Sequence, residues 1–158
     1  MNSNLGINPS KTKFLNGSEL KVAIILSRFN QQVGRELQEN TVEHLKKLGV
    51  KQNNIEVFEV PGALEMPLLA QKISTKKKHN VIIALGIVIK GETLHFEIVS
   101  HESHRALMDL SIKKNLPIIF GILCTRTLKQ AKDRVSKSKL NKGKEFAEAA
   151  VEMGNLFM

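Results

Sequence analysis

The 158-residue sequence predicts an α/β three-layer sandwich with a four-stranded parallel sheet. Apolar runs without polar alternation predict strands buried on both faces, and the longest of them is Val81–Ile89. These runs alternate along the chain with segments of helical periodicity, which is typical of β-α-β units. Because such units connect parallel strands, one sheet with helices on both faces follows.

The N-terminal stretch differs in composition from the rest of the chain. Residues 1–19 are polar, and we expect a flexible N-terminal arm there, followed by a single domain over 20–158. Such an arm can extend the sheet of a neighbouring subunit, or receive a strand from one, which protects a sheet edge from aggregation. The stretch lacks the apolar core of a signal peptide, and no run in the sequence reaches transmembrane length.

Four strands are expected. The stretches at 21–26, 81–89 and 117–124 are apolar runs, whereas 54–60 alternates apolar and polar residues and should be the more exposed strand. Cys124 closes the last run and is predicted to be a small buried hydrophobe. A single cysteine cannot form a disulfide within the chain, which fits a reducing compartment and predicts a cytoplasmic protein.

Five helices are expected, at 31–48, 63–74, 94–115, 127–136 and 142–157. Gly49 is a natural end for the first helix, and Pro67 fits only the first turn of the second. Lys113 and Lys114 suit the C-terminal dipole of the third helix, and Thr127 can cap the fourth. The order β-α-β-α-β-α-β-α-α, without an internal repeat, predicts a flavodoxin-like fold.

The formal net charge is +9, with basic runs at 76–78 and 129–144. A basic balance is compatible with nucleic acid, an anionic membrane surface or phosphorylated small molecules as partners. The nucleic-acid interpretation lacks support, because the seven Phe are not interleaved with the basic runs and no nucleic-acid module is recognisable.

In parallel α/β sheets, ligands bind beyond the carboxyl ends of the strands. After the third strand, Gly91 permits a tight turn, and the N–H groups of the following helix start suit an anion. His95 would lie about one turn into that helix, beside a potential phosphate position. The alternative is an ordinary strand-turn-helix with a surface histidine.

Other side chains near the strand ends also have two interpretations. Phe29 either stacks on a flat heterocycle or folds back onto the following helix. Glu65 either accepts hydrogen bonds from ligand hydroxyls or only favours the helix dipole. Arg134 and Lys142 are either phosphate ligands or solvated charges. The sequence contains neither a Walker loop nor a Gly-x-Gly-x-x-Gly motif, and its histidines are not spaced as metal ligands, so no metal is expected.

Five segments together resemble one protein family. They are Ser27-Arg28-Phe29-Asn30, 60–67 (VPGALEMP), 84–96 (ALGIVIKGETLHF), 117–125 (PIIFGILCT) and Asn141-Lys142-Gly143. In order and spacing, over about residues 20–156, they resemble the 6,7-dimethyl-8-ribityllumazine synthase family of riboflavin biosynthesis. Each segment alone is a weak signal, whereas the ordered set is specific.

The resemblance implies condensation of 5-amino-6-(D-ribitylamino)uracil with 3,4-dihydroxy-2-butanone 4-phosphate, releasing phosphate and water without a cofactor or metal. It also implies a homo-oligomer, either a pentamer or a sixty-subunit icosahedral shell, with sites shared between subunits. Riboflavin synthase is a candidate protein partner. The two small-molecule substrates, one of them phosphorylated, explain the basic loop better than nucleic acid or a membrane does.

The resemblance also implies a role for each matched residue. Phe29 would stack on the pyrimidine. The backbone of Ile87, Val88 and Ile89 would bind the edge of the pyrimidine. Ala63, Leu64 and Glu65 would bind the ribityl chain. The N–H groups of Gly91, Glu92 and Thr93 would bind the phosphate, and Arg134 would supply a positive charge beside it. His95 would transfer protons, while Phe120 and Lys142 would reach the site from the adjacent subunit.

The sequence departs from the family's pattern at three places. Ile87 stands where Thr is frequent, which preserves a backbone contact but not a hydroxyl contact. Lys90 stands where Arg is common, which puts a bidentate contact in doubt. The loop at 136–140 is poorer in glycine than usual, and it bears on the choice between pentamer and shell.

Two other hypotheses compete with the enzyme. A binding protein on the same fold would hold a lumazine or flavin without turnover, but pure binding does not need His95, Arg134 and Lys142 together. A module of the response-regulator type needs an acidic cluster at the strand ends, and Asp is absent from all four ends.

Overall fold

The computed structural model describes residues 15–158 and contains four strands and five α-helices in that range. In chain order they are β1 (Val22–Ser27), α1 (Gln31–Lys47), β2 (Ile55–Val60), α2 (Met66–Thr75), β3 (Val81–Ile89), α3 (His95–Lys114), β4 (Ile118–Thr125), α4 (Leu128–Val135) and α5 (Lys142–Leu156). Short 3₁₀ turns, Gln52–Asn54 and Ala63–Glu65, precede β2 and α2.

All four strands are parallel, in the order β2-β1-β3-β4. The central strand β1 is buried throughout, as are the first seven residues of β3, in accordance with their unbroken apolar sequences. Val57 in the edge strand β2 is exposed, as the alternating pattern predicts. The α/β class, the parallel sheet and the flavodoxin-like arrangement are therefore confirmed.

The helices form two layers, one on each face of the sheet. Successive side chains of a strand point to opposite faces, so alternate residues of β1 and β3 enter two separate cores. Ile24 and Ile83 pack beneath α1, α4 and α5, whereas Ile25 and Ile82 pack beneath α2 and α3. This arrangement leaves the carboxyl ends of the strands uncovered.

The N-terminal arm was expected at residues 1–19. Residues 1–14, with any strand they add to a sheet, lie outside the described residues. The next residues lie against the end of α1, where the Gly17 N–H donates to the Leu48 carbonyl at 2.7 Å.

The second helix begins later than the sequence predicts. Its expected start, Ala63, lies in the 3₁₀ turn, and α2 begins at Met66 with Pro67 in its first turn. Pro67 has no N–H with which to bond the Ala63 carbonyl, and that carbonyl accepts from Met66 instead. The missing donor therefore shifts the start of the α-helix by one turn.

The prediction that Cys124 is buried is wrong, because the side chain is exposed. β4 is the last strand of the sheet, and a residue near the end of an edge strand is less covered than one in a central strand. Between residues 15 and 158, no helix is both long and apolar enough to cross a membrane.

His79 should make stability fall in mild acid. It is buried just before β3, and its Nε2 lies 2.8 Å from Glu56 Oε2. Burial lowers the pKa of His79 below its ordinary value of about 6.5. Below that pH the unfolded chain takes up a proton that the folded chain resists, so the unfolding free energy falls as the pH drops.

Thermal melts between pH 7.5 and 5.5 test this prediction. The wild-type melting temperature should decrease over this range, and His79→Gln should make the decrease smaller. Burial also lowers the pKa of His44, so part of the decrease should persist in the variant. His101→Gln changes an exposed histidine and serves as the control. An equal pH dependence in wild type and His79→Gln would contradict the assignment.

Candidate active site

A cleft lies at the carboxyl ends of β1, β2 and β3. Its lining residues come from these three ends and from the start of α3: Ser27, Phe29, Asn30, Gly62, Ala63, Leu64, Glu65, Ile87, Val88, Ile89, Gly91, Thr93, His95, Phe96 and Val99. The cleft volume of about 350 Å³ suits a small molecule. The position is the one at which parallel α/β sheets bind ligands.

The turn between β1 and α1 forms the first wall. Phe29 is 70% exposed, so its ring is not buried against α1. It passes close to Gly62, where an added Cβ would lie 3.4 Å from Phe29 Cδ2. Asn30 adopts a left-handed conformation with φ 54°, and its Nδ2 donates to the Ile87 carbonyl at 3.0 Å. The turn that presents Phe29 is thereby bonded to the end of β3.

The segment after β2 forms the adjoining wall. Ala63 is buried, whereas Leu64 and Glu65 are exposed. The same Cβ added to Gly62 would lie 3.0 Å from Glu65 Oε2, so the carboxylate and the Phe29 ring flank the same glycine. A flat apolar surface and a hydrogen-bond acceptor therefore lie side by side.

The end of β3 forms the floor. Its pairing with β1 ends at Leu26–Leu85, while its pairing with β4 continues to Ile89–Thr125. One backbone edge of residues 87–89 therefore pairs with β4, and the other edge faces the cleft. Peptide N–H and carbonyl groups on such an edge can pair with the polar rim of a heterocycle.

The loop from Lys90 to Leu94 closes one end of the cleft. Gly91, Thr93 and Leu94 are exposed, and the residue before α3, Leu94, has an apolar side chain that cannot cap the helix. The His95 N–H donates to Thr93 Oγ1 at 3.4 Å, whereas the next two N–H groups have no carbonyl partner within the helix. These groups and the positive end of a 20-residue helix favour an anion there. His95, the first residue of α3, is exposed and lines the same end of the cleft.

Of the fourteen residues proposed from the sequence for the site, ten line this cleft: Phe29, Ala63, Leu64, Glu65, Ile87, Val88, Ile89, Gly91, Thr93 and His95. In the described part of the chain, the other four do not: Glu92, Phe120, Arg134 and Lys142. Three of these lie on β4 or beyond it in the chain. They therefore do not complete the site of their own subunit.

Each of those three side chains has a local partner. The Phe120 ring stacks on His104, with centroids 5.9 Å apart and planes 17° apart. Arg134 Nη1 donates to the Gln130 carbonyl at 3.2 Å. Lys142 Nζ donates to Glu145 Oε2 at 2.7 Å. Among the described residues, the polar partners of the Arg134 and Lys142 side chains lie within their own helices.

Sequence reasoning assigned no role to five residues that line the cleft: Ser27, Asn30, Gly62, Phe96 and Val99. Asn30, Gly62 and Phe96 directly adjoin a predicted site residue. Ser27 lies two residues before Phe29, and Val99 follows His95 by one turn, so proximity in sequence was the available signal. Within residues 15–158, no three His, Cys, Asp or Glu side chains are grouped as metal ligands.

Asn30 should be required to place Phe29. Its amide contributes one hydrogen bond, worth about 1 kcal/mol, and Asn tolerates the left-handed backbone better than Ala. Asn30→Ala should therefore lower the melting temperature and raise KM for the flat heterocycle that is expected to stack on Phe29. Asn30→Gly keeps the left-handed backbone conformation accessible and removes only the side-chain amide. For the same loss of stability, its KM should therefore rise more than that of Asn30→Ala. Unchanged KM in both variants would contradict this role.

Comparison with known proteins agrees with the geometry. Residues 19–158 match the family described as 6,7-dimethyl-8-ribityllumazine synthase. A curated relative from Kosmotoga olearia, named 6,7-dimethyl-8-ribityllumazine synthase, is 44% identical over 140 residues, which cover 89% of this chain and 90% of the relative. The chain therefore belongs to the 6,7-dimethyl-8-ribityllumazine synthase family.

Proposed function

We propose that the cleft at the ends of β1, β2 and β3 is where this protein condenses 5-amino-6-(D-ribitylamino)uracil with 3,4-dihydroxy-2-butanone 4-phosphate. The product is 6,7-dimethyl-8-ribityllumazine, and the reaction is the penultimate step of riboflavin biosynthesis. The observation that carries this assignment is the juxtaposition of an exposed aromatic ring, a backbone edge of β3 that no described strand covers, a helix start without a side-chain cap and a histidine in one cleft.

The pyrimidine is proposed to lie on Phe29, with its polar edge against the backbone of 87–89. This pose uses the exposed ring face for stacking. For hydrogen bonds it uses the edge of β3 beyond Leu85 that no described strand covers, where the Ile87 carbonyl already accepts from Asn30. Glu65 then accepts hydrogen bonds from the ribityl hydroxyls beside Ala63 and Leu64. The Ile87 side chain is buried, so its replacement of Thr leaves a contact through the backbone in place.

The phosphate of the second substrate is proposed to bind the N–H groups of Gly91, Glu92 and Thr93. Glu92 thus acts through its backbone, in keeping with a side chain that does not line the cleft. His95 then lies beside the reacting carbons, where it can transfer protons.

The chemistry needs positioning and proton transfer more than an activated nucleophile. The substrate amine attacks the ketone, and loss of water gives an imine. Removal of a proton from carbon permits phosphate to leave, and the second amine closes the ring with loss of a further water. His95 can accept the carbon-bound proton and return one to the departing oxygen. Holding both substrates in register supplies much of the remaining acceleration.

We propose that Phe120, Arg134 and Lys142 complete the cleft of a neighbouring subunit. They lie on β4, α4 and α5, and none of them lines the cleft of its own chain. Apolar residues on α2, on α3 and directly before α3 are 48–76% exposed and support an assembly that covers them: Leu68, Leu94, Ile98, Met108 and Ile112. The proposed assembly is a homo-oligomer, either the pentamer or the sixty-subunit shell.

A protein partner and a cellular location are also proposed. Riboflavin synthase, which consumes the lumazine, is the proposed protein partner. A cytoplasmic location rests on the single cysteine and the reducing compartment that it fits.

A turnover assay tests the proposed function. The purified protein is mixed with both substrates in the presence of a metal chelator, and fluorescence reports lumazine formation. Formation well above the spontaneous rate supports the assignment. Tight binding of lumazine without turnover would instead favour the binding-protein alternative.

A further inference from the structure

Lys90 and Glu97 form an ion pair across the loop that joins β3 to α3. Lys90 Nζ lies 2.9 Å from Glu97 Oε1. The same ammonium lies 5.9 Å from the centroid of the Phe96 ring, within the range of a cation–π contact. Lys90 and Glu97 lie outside the cleft lining, whereas Gly91, Thr93 and His95 between them belong to it. The pair therefore bridges the segment that carries the proposed phosphate donors.

Lys90 is anchored at both its backbone and its side chain. Its N–H donates to the Thr125 carbonyl at 2.9 Å, which continues the β3–β4 ladder. Its ammonium binds the first turn of α3. Between these anchors, a Cβ added to Gly91 would meet no described atom within 4 Å, and residues 91–94 are exposed. The intervening loop has little packing of its own, so a contact that spans it restricts its geometry.

We propose that the Lys90–Glu97 ion pair positions the phosphate-binding segment, and that Lys90 is not itself a phosphate ligand. This inference rests on the proposed function of the segment. Lys90 is a positioning residue because its charge is already matched by a carboxylate. The hydrogen bond from Lys90 lowers the pKa of Glu97, which keeps the carboxylate ionised at neutral pH.

The pair is incompletely satisfied in this chain. Glu97 Oε2 is buried and has no hydrogen-bond partner among the described residues. A lysine presents a compact charge to one oxygen, whereas the planar guanidinium of arginine can bond both oxygens of a carboxylate. Lys90→Arg should therefore keep the loop in place and can satisfy the second oxygen.

Steady-state kinetics of four variants test the inference. Lys90→Met and Glu97→Gln should each raise KM for the butanone phosphate about fivefold, as expected for loss of a partly exposed ion pair. The double variant should be no worse than either single variant, because both remove one contact. Lys90→Arg should leave KM at or below the wild-type value. KM for the ribitylaminouracil should change little throughout.

Glu97→Gln distinguishes the inference from its rivals. A lysine that binds phosphate directly would be released by this variant, and KM would stay the same or fall. A purely structural pair would lower the melting temperature without changing KM. Either result overturns the inference, as does a KM for Lys90→Arg as high as that of Lys90→Met. Lys47→Met, which removes an exposed ion pair to Glu43 on α1, is the matched control and should leave KM unchanged.

A binding measurement separates this inference from the proposed function. Inorganic phosphate is titrated while the amide resonances of Gly91 and Thr93 are followed by NMR. Phosphate should shift both amides in wild type and bind more weakly to Lys90→Met and Glu97→Gln. That result without lumazine formation would refute the proposed function alone. If phosphate shifts neither amide in wild type, the inference fails even when the enzyme turns over.

Discussion

His95→Ala should lower kcat about 10²–10³-fold, because a positioned acid–base group typically contributes a factor of this size. Imine formation, phosphate loss and ring closure each move a proton to or from carbon, nitrogen or oxygen. His95 is the histidine that lines the cleft, at the start of α3. The imidazole is exposed in the described chain, so its removal leaves no buried cavity and should cost little folding stability.

Binding measurements separate catalysis from substrate affinity in this variant. Fluorescence titration with 6,7-dimethyl-8-ribityllumazine should give an affinity within about threefold of wild type, because most ligand contacts come from other residues. His101→Ala is the matched control, since it removes an exposed histidine of the same helix that lies outside the cleft lining. Equal losses in affinity and turnover would assign His95 to binding.

The fold could be predicted because its signals are local. β3 occupies the predicted residues 81–89, since nine apolar residues in a row fit a central parallel strand and little else. β4 begins one residue later than predicted, at Ile118. Pro117 nevertheless contributes its carbonyl to the ladder, accepting from Ile82, but has no N–H to donate. Turn chemistry thus moved boundaries without changing the fold.

Features that depend on position in the sheet could not be predicted in the same way. Cys124 has the sequence context of a buried strand, but its exposure follows from β4 being the edge. The rule that ligands bind beyond the carboxyl ends of parallel strands predicted both walls and the floor of the cleft. It assigned no role to Asn30, whose side chain reaches a carbonyl 57 residues away in sequence. Such contacts depend on strand order, which local pattern does not encode.

Local pattern is also silent on which chain completes a site. Arg134 and Lys142 follow the last strand, as ligand-binding residues often do, yet they do not meet His95 within one subunit. A parallel sheet offers one row of strand ends, and β4 lies at its margin. Residues beyond a marginal strand can face either their own cleft or a neighbouring molecule. Only assembly distinguishes these cases, and assembly can be tested by mixing defective subunits.

Assemblies of His95→Ala alone and of Arg134→Ala alone should both be nearly inactive, and an equal mixture refolded together should regain about one quarter of wild-type activity. A shared site is active when an Arg134→Ala chain supplies the cleft with an intact His95 and a neighbouring His95→Ala chain supplies an intact Arg134. Random arrangement in a closed ring places that combination at about one interface in four. Light scattering should show the same oligomer for wild type and mixture.

A second mixture provides the control that makes recovery interpretable. His95→Ala and Glu65→Ala both damage the cleft side of a site, so every chain in their mixture carries a defective cleft and activity should not return. Arg134 must act within its own chain if the first mixture forms mixed oligomers but stays inactive. A monomeric wild-type enzyme with full activity would exclude a shared site altogether. Recovery in the first mixture alone would establish that β4-side residues of one subunit complete the cleft of the next.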